Sequence, residues 1–195
     1  MRHLLLATRN AHKTREFSEI LGPDFVVRDL AAETDAPVVE ETGTTFAENA
    51  ILKAVATSKR FAGLVVADDS GLEVDLLGGA PGVYSARYAG AGATDQQNLA
   101  RLLSELRRFP NERQPSARFR CVLALAGEGE LRATFEGVVE GTIVDPPRGE
   151  SGFGYDPVFQ ATGLAKTFGE LSSAEKNRIS HRAQAIRLLR AALVR

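Results

Sequence analysis

Two adjacent carboxylates, Asp68 and Asp69, follow an apolar run and precede Ser70 and Gly71. The run predicts a strand, and we expect the acids to lie where that strand leaves the core. Neighbouring carboxylates raise each other's pKa unless a cation neutralises them. Mg²⁺ suits an all-oxygen site and usually also binds substrate phosphates. The segment therefore favours a magnesium-dependent enzyme that acts on a phosphorylated ligand, with a solvated acidic turn as the alternative.

A second set of polar residues lies where a strand predicted over 3–8 runs directly into a helix predicted over 10–21. Thr8 and Asn10 supply polar side chains there, and Lys13 adds a positive charge one turn into the helix. Because the first N–H groups of a helix attract anions, the junction indicates a phosphate site, although it has no P-loop pattern. Ordinary helix capping with a surface lysine is the alternative.

A pair of glutamates, Glu40 and Glu41, comes shortly before a helix predicted over 45–60 that carries Lys53 in its interior. Either glutamate could complete a metal site that begins at Asp69. A glycine-rich segment, residues 77–90, follows later and could line a substrate cleft or a subunit contact.

Aromatic residues alternate with glycine in the segment Gly152-Phe153-Gly154-Tyr155, which ends at Asp156 before a proline. Flat rings beside a mobile backbone suit stacking on a nucleobase, and the acid could accept a base N–H. A tight turn with core aromatics is the alternative. Near the C-terminus, cationic residues of the segment 175–182 could donate to a carbonyl oxygen of a base, with a solvated basic helix as the alternative.

The elements that must position these residues alternate between strands and helices. Strands are predicted at 3–8, 25–27, 64–68 and 73–77, and helices at 10–21, 45–60, 94–106 and 172–193. A hairpin is predicted from strands 117–126 and 131–144, joined at 127–130. In the helix over 45–60, we expect the buried residues to be Ile51, Leu52, Val55 and Ala56. This order predicts an α/β fold with a mixed sheet, built as a single domain over 1–195 with two lobes.

Composition excludes several classes of protein. The chain has 195 residues and a net charge of −1 without a long basic run, which disfavours a polymeric nucleic-acid partner. Its apolar runs are too short to cross a bilayer, so we expect no membrane partner. Cys121 is the single cysteine, so no internal disulfide can form, and a cytoplasmic location is expected.

Along nearly its whole length, the sequence resembles the inosine/xanthosine triphosphate pyrophosphatases, which remove deaminated purine nucleotides from nucleotide pools. The matching segments are 8–16, 40–54, 67–72, 77–88, 152–157 and 175–182. The family often has glycine where this chain has Arg9, which adds a side chain at the phosphate-binding segment.

The resemblance implies hydrolysis of a nucleoside triphosphate at the α-phosphorus, with Mg²⁺ bound by Glu40 and Asp69. Asp69 would also be the base for the attacking water, supported by the acids Asp68 and Glu41. The implied triphosphate-binding residues are Thr8, Arg9, Asn10, Lys13, Lys53 and Ser70. The implied base-binding residues are Phe153, Gly154, Tyr155, Asp156, Lys176, His181 and Arg182. A homodimer and an elongated mixed sheet between two lobes that flank a substrate cleft are implied as well.

Two other functions stay open. One is a nucleotide hydrolase of related fold with a different base preference, which a substrate panel would distinguish. The other is a nucleotide-binding module that does not hydrolyse its ligand. The pair Glu40 and Asp69 speaks against the binding module, since a pure binder has little need of a base beside a metal.

Overall fold

The computed structural model describes residues 2–112 and 114–194. Its strands are β1 (Arg2–Leu6), β2 (Phe25–Asp29), β3 (Val65–Val74), β4 (Ser116–Gly127), β5 (Glu130–Ile143) and β6 (Phe159–Ala161). Its helices are α1 (Ala11–Leu21), α2 (Phe46–Ser58), α3 (Asp95–Leu106), α4 (Ser173–Ile179) and α5 (His181–Val194). Short 3-10 helices are formed by Asp75–Leu77, Gly82–Arg87, Asp156–Val158 and Phe168–Glu170.

The six strands form one sheet in the order β2-β1-β3-β4-β5-β6. β1 pairs in parallel with both β2 and β3, whereas β5 and β6 are antiparallel. The sheet is therefore mixed, and the α/β fold class predicted from the element order is confirmed. The turn joining β4 to β5 places Glu128 and Gly129 at positive φ, as a tight two-residue hairpin requires.

Two compact units of the chain have separate cores. The first unit comprises residues 2–69, 121–137 and 181–194, and the second comprises the remaining described residues. The core of the first unit includes Leu6, Phe17, Leu21, Leu123 and Ile186. The core of the second unit includes Leu102, Phe119, Val158, Phe159 and Phe168. The expected single domain over 1–195 with two lobes stays a prediction.

The acidic pair does not lie at the end of a strand, where the sequence pattern predicts it. Asp68 and Asp69 are in the middle of β3, which continues to Val74, and the strand predicted at 73–77 is a 3-10 helix from Asp75 onward. Polar residues at 68–70 interrupt the apolar pattern by which a strand is recognised, so the pattern suggested an early end. Both carboxylates are buried because the strand carries them through the sheet.

Two helix predictions also need correction. The helix predicted over 172–193 is broken at Ser180, which has extended backbone with φ −64° and ψ 156° and separates α4 from α5. In α2 the buried face is formed by Phe46, Asn49, Ala50, Ala54, Thr57 and Ser58, whereas Leu52 is exposed. Apart from Phe46, the residues on that face are small or polar, so a pattern of large apolar side chains did not mark it. Within the described ranges, no helix is long and apolar enough to cross a membrane.

Candidate active site

The junction between β1 and α1 forms as predicted and presents Lys13 to the acidic pair. Asn10 caps α1 by accepting the N–H groups of His12 and Lys13, and the Thr8 hydroxyl accepts the Asn10 N–H at 3.1 Å. One turn into the helix, the Lys13 ammonium donates to an Asp68 carboxylate oxygen and forms an ion pair with it. The lysine predicted to bind phosphate is therefore paired with an acid inside the first unit.

Asp68 is fully surrounded by donors. Its Oδ2 accepts from Arg182 Nε at 2.7 Å and from the Cys121 thiol at 3.3 Å, while Lys13 pairs with Oδ1. Burial alone would raise the pKa of Asp68, but the charges of Arg182 and Lys13 outweigh it and hold that pKa well below its usual range. Asp68 is thus a buried anion that organises the cations around it. Burial of Cys121 and the negative charge of Asp68 raise the pKa of the Cys121 thiol well above its usual range, so Cys121 is an inert core thiol.

Arg182 completes this buried network. Its Nη1 donates to Glu16 Oε2 at 2.6 Å, and its side chain is 2 % exposed. Gly137 of β5 permits the approach of α5, because a Cβ at that position would overlap with the backbone oxygen of His181. The guanidinium predicted to read a base is therefore held by two carboxylates of the first unit. Its base-reading role stays a prediction, and its placement favours a structural role.

Lys53 of α2 joins two acids of the predicted metal site. Its ammonium donates to Glu41 Oε1 at 2.8 Å and to Asp69 Oδ1 at 2.6 Å. Burial lowers the pKa of Lys53, but Asp69 and Glu41 more than compensate, so the net shift is upward. For Asp69, burial dominates and raises the pKa although Lys53 opposes the shift. Lys53 thus holds a positive charge between the acids.

The loop that carries Glu41 is fixed by Asn49, one helical turn before Lys53. Asn49 is fully buried, and its Oδ1 accepts the Gly43 N–H at 2.8 Å. A Cβ on Gly43 would lie only 2.6 Å from that oxygen, so the close approach requires glycine. Asn49 and Lys53 are four residues apart and therefore lie on the same face of α2, and both side chains reach the 41–43 segment.

A second cluster lies in the other unit, around the aromatic loop, which we define as residues 152–156. Asp156 Oδ2 accepts from Lys176 Nζ at 2.6 Å and from the Phe153 N–H at 2.9 Å. Both side chains of this ion pair are nearly fully buried. The Lys176 ammonium also lies 4.9 Å from the centre of the Phe153 ring. The pair therefore fixes both the backbone and the ring of Phe153.

The two rings of the aromatic loop have different surroundings. Tyr155 is buried in the core of the second unit, and its hydroxyl donates to the Ser85 backbone oxygen at 2.9 Å. Phe153 is only half-buried. Gly154 separates the two rings with a φ of +61°, a conformation that favours glycine. Both rings were predicted to flank a base, and that role stays a prediction, but its geometry favours Phe153.

The other residues predicted for the site differ in their exposure to solvent. Arg9 and Glu40 are exposed, Ser70 is half-buried on β3, and His181 is buried as the first residue of α5. Glu16 was not assigned a role from the sequence, although it lies three residues after Lys13 and hence on the same helix face, which is a signal that could have identified it.

The first unit brings four acids and three cations together, namely Glu16, Glu41, Asp68 and Asp69 with Lys13, Lys53 and Arg182. Asp69 Oδ2 is buried, and no described residue donates a hydrogen bond to it. The acids of this cluster outnumber its cations by one, and the buried Asp69 Oδ2 can still accept a ligand. Both features suit the binding of a divalent cation by oxygen ligands. In the described ranges, no group of three or more His, Cys, Asp or Glu residues is arranged to hold a metal by itself.

Comparisons with known proteins agree along nearly the full chain. The model of the Ham1 family matches residues 4–192. A dITP/XTP pyrophosphatase of Bacillus subtilis (strain 168) is 53% identical over 190 residues, which are 97% of this chain and 96% of that protein. The dITP/XTP pyrophosphatase of Geobacter sulfurreducens is 49% identical over 192 residues, 97% of this chain and 96% of that protein.

Solved structures give the same result. The structure of the Staphylococcus aureus Ham1 protein is similar with a TM-score of 0.85 and 44% identity, over 98% of both chains. A HAM1 protein from Coxiella burnetii is similar with a TM-score of 0.88 and 41% identity, over 100% of this chain and 99% of that one.

Proposed function

The chain belongs to the Ham1 family, and we propose that it hydrolyses deaminated purine nucleoside triphosphates, the class that includes ITP, dITP and XTP. Water would attack the α-phosphorus, the bond from that phosphorus to the bridging oxygen of the β-phosphate would break, and pyrophosphate and the monophosphate would leave. Relatives that share about half of their residues with this chain are named dITP/XTP pyrophosphatases, which supports the substrate class.

The Asp69 carboxylate is the observation that carries the chemical part of the proposal. One of its oxygens is held by Lys53, and the other is buried and accepts no hydrogen bond from the residues that the structure describes. A buried carboxylate oxygen in this state can accept a proton from an attacking water or bind a cation. Asp68 cannot share that role while Lys13, Arg182 and Cys121 occupy its oxygens.

We propose Mg²⁺ as the metal, held by Asp69 together with Glu41 or Glu40. Mg²⁺ commonly binds through one or two carboxylates plus substrate phosphates, so few protein ligands are required. Glu41 is the glutamate that approaches Asp69, since both contact the Lys53 ammonium. When bound, the ion would neutralise charge on the triphosphate.

Lys13, Lys53 and the N-terminus of α1 would bind the triphosphate. Phosphoryl transfer depends mainly on positioning and on neutralisation of charge, which two lysines and the positive end of the helix dipole can supply. Thr8 and Asn10 fix the start of α1, so its first turn has a defined direction. Arg9, exposed beside them, adds a further cation for an anionic ligand.

The aromatic loop would bind the base, with the Phe153 ring stacking on it. Hypoxanthine and xanthine have an oxygen at position 6 and a proton on N1, whereas adenine has an amino group at position 6 and no proton on N1. A site with a donor for O6 and an acceptor for N1–H leaves adenine with mismatched groups, which is costly in a buried pocket. Asp156 and Lys176 are an acceptor and a donor of the required kinds.

The test is the release of pyrophosphate from ITP, XTP, ATP and GTP, measured with Mg²⁺ and with EDTA. We expect metal-dependent release from ITP and XTP and little release from ATP or GTP. Equal release from all four would keep the hydrolase and contradict the base-reading roles. Absence of release from every nucleotide, together with tight nucleotide binding, would favour the non-hydrolysing module. The homodimer and the cytoplasmic location stay predictions.

A further inference from the structure

An exposed carboxylate outside the predicted site residues contacts the aromatic loop. The Gly154 N–H donates to Asp95 Oδ2 at 2.8 Å. Asp95 is the first residue of α3, and its side chain lies at the surface of the second unit. The contact joins two residues that are 59 positions apart in the chain. It therefore fixes the loop to a helix rather than closing a local turn.

Asp95 is not needed to cap α3. Thr94 accepts the Gln97 N–H at 3.2 Å, and the Gln97 side chain accepts the Thr94 N–H at 2.8 Å, which completes a capping box. The hydrogen bonds that satisfy the start of the helix are thus made by its neighbours. The Asp95 carboxylate is left to contact Gly154.

The same face of α3 also holds the other ring of the loop. Asn98 is buried and lies three residues after Asp95; it accepts the Ala89 N–H at 2.8 Å and donates to the Ala86 backbone oxygen at 3.1 Å. The segment 85–89 in turn includes the backbone oxygen of Ser85, which accepts the Tyr155 hydroxyl. One helix therefore anchors Gly154 directly and Tyr155 through one intermediate segment.

The loop needs such anchors because of its glycines. Gly152 and Gly154 have φ angles of +78° and +61°, on either side of Phe153. Glycine samples many backbone conformations, so the Phe153 ring has a defined position only where its neighbouring amides are held. Asp156 holds the Phe153 amide from the buried side, and Asp95 holds the Gly154 amide from the exposed side.

We propose that Asp95 is a positioning residue for the aromatic loop, acting through the Gly154 amide on the Phe153 ring. The anchoring contact is independent of the substrate, whereas its kinetic consequence rests on the proposed function. Because Asp95 makes no contact with the reacting phosphates in that proposal, its loss is expected to weaken base binding and discrimination rather than the chemical step.

The experiment compares Asp95→Ala, Asp95→Asn and Gln96→Ala in the full chain. Hydrogen exchange of the ligand-free protein measures the Gly154 amide in a peptide covering the aromatic loop. We expect Asp95→Ala to accelerate that exchange about tenfold or more. Asp95→Asn keeps an acceptor oxygen and should restore most of the protection. Gln96→Ala, at the next exposed position of the same helix turn, should match the wild type.

Steady-state kinetics with ITP and GTP provides the second readout. We expect Asp95→Ala to raise the KM for ITP about fivefold and to leave kcat within about twofold, with Asp95→Asn close to the wild type. The anchoring role would be overturned if the Gly154 amide of Asp95→Ala exchanged at the wild-type rate. It would also be overturned if this amide exchanged equally fast in Asp95→Ala and Asp95→Asn. Faster exchange with unchanged KM for every nucleotide would overturn the positioning role in catalysis. If the wild-type protein hydrolyses no triphosphate, the proposed function fails, and the exchange data still decide whether Asp95 anchors the loop.

Discussion

Arg182 and Asp68 are 114 residues apart in the chain and form a buried ion pair, with Arg182 Nε 2.7 Å from Asp68 Oδ2. Neither side chain is more than 2 % exposed. The pair joins α5 to the middle of β3, while Glu16 and Lys13 connect it to α1. Three elements that are remote in the sequence are thus fixed around one carboxylate, next to the proposed catalytic Asp69.

Replacing Asp68 by Asn should destabilise the protein strongly. The change leaves the Arg182 and Lys13 charges without their shared anion, and breaking a buried ion pair in this way costs about 3–5 kcal/mol. The free energy of unfolding, measured with urea, gives the value. Asp75→Asn is the matched control, because Asp75 pairs with Arg118 at the surface, where the loss should be about 1 kcal/mol or less. Equal losses in the two variants would contradict the structural role of Asp68.

Replacing Asp69 by Asn should abolish turnover while sparing most nucleotide binding. The amide cannot accept the proton of the attacking water, and a general base commonly contributes about 10²–10⁴-fold to a rate. Pyrophosphate release and ITP affinity are the two measurements, with Asp75→Asn again as the control. Release at the wild-type rate from Asp69→Asn would show that the base is another residue.

Local signals in the sequence predicted much of this structure. The helix starts predicted at 45, 94 and 172 are correct, because each is marked by a capping box, at Thr45, Thr94 and Ser172, which depends only on residues within one turn. The predicted end of β3 was wrong, because burial of the acids depends on cations from α1, α2 and α5 that no local pattern shows. The strand β6 was missed because three residues are too few for a periodic signal.

The same limit applies to the candidate site. Residue types and motif order identified Lys13, Lys53, Asp68 and Asp69, which the structure brings together in one unit. The partners of each were not predictable, since an ion pair such as Arg182 with Glu16 joins positions 166 residues apart. Which side chains pair between distant elements depends on how those elements pack. The kind of chemistry that a site can perform, by contrast, can be inferred from the residue types in the sequence.

Replacing Lys53 by Met should strengthen metal binding in the absence of nucleotide. The Lys53 ammonium now neutralises Glu41 and Asp69, so it competes with any cation that binds these acids. Two unit charges about 4 Å apart interact by about 4 kcal/mol at an effective dielectric constant of 20, so an increase in Mn²⁺ affinity of about tenfold or more is expected. Electron paramagnetic resonance of free Mn²⁺ measures this affinity directly.

Lys59→Met is the matched control for Lys53, because Lys59 is exposed at the end of the same helix. It removes the same charge away from the acids and should leave Mn²⁺ binding nearly unchanged. The triphosphate affinity of Lys53→Met should fall at the same time, since the lysine is also proposed to bind phosphate. Mn²⁺ affinity in Lys53→Met no higher than in the wild type would refute the competition.

Replacing Lys176 by Met should destabilise the second unit and release the Phe153 ring. Asp156 would keep the hydrogen bond from the Phe153 N–H but lose its buried ion pair with Lys176, and breaking a buried ion pair by removing one partner costs about 3–5 kcal/mol. Urea unfolding measures the loss, and Lys166→Met, at an exposed position, is the control. Similar stability of the two variants would contradict this role of the pair.

The double substitution Asp156→Asn with Lys176→Met removes both charges, so it should recover part of the stability lost in Lys176→Met. Its discrimination between ITP and other nucleotides should nevertheless be as low as that of Lys176→Met. Stability can be repaired without restoring the polar groups that read the base.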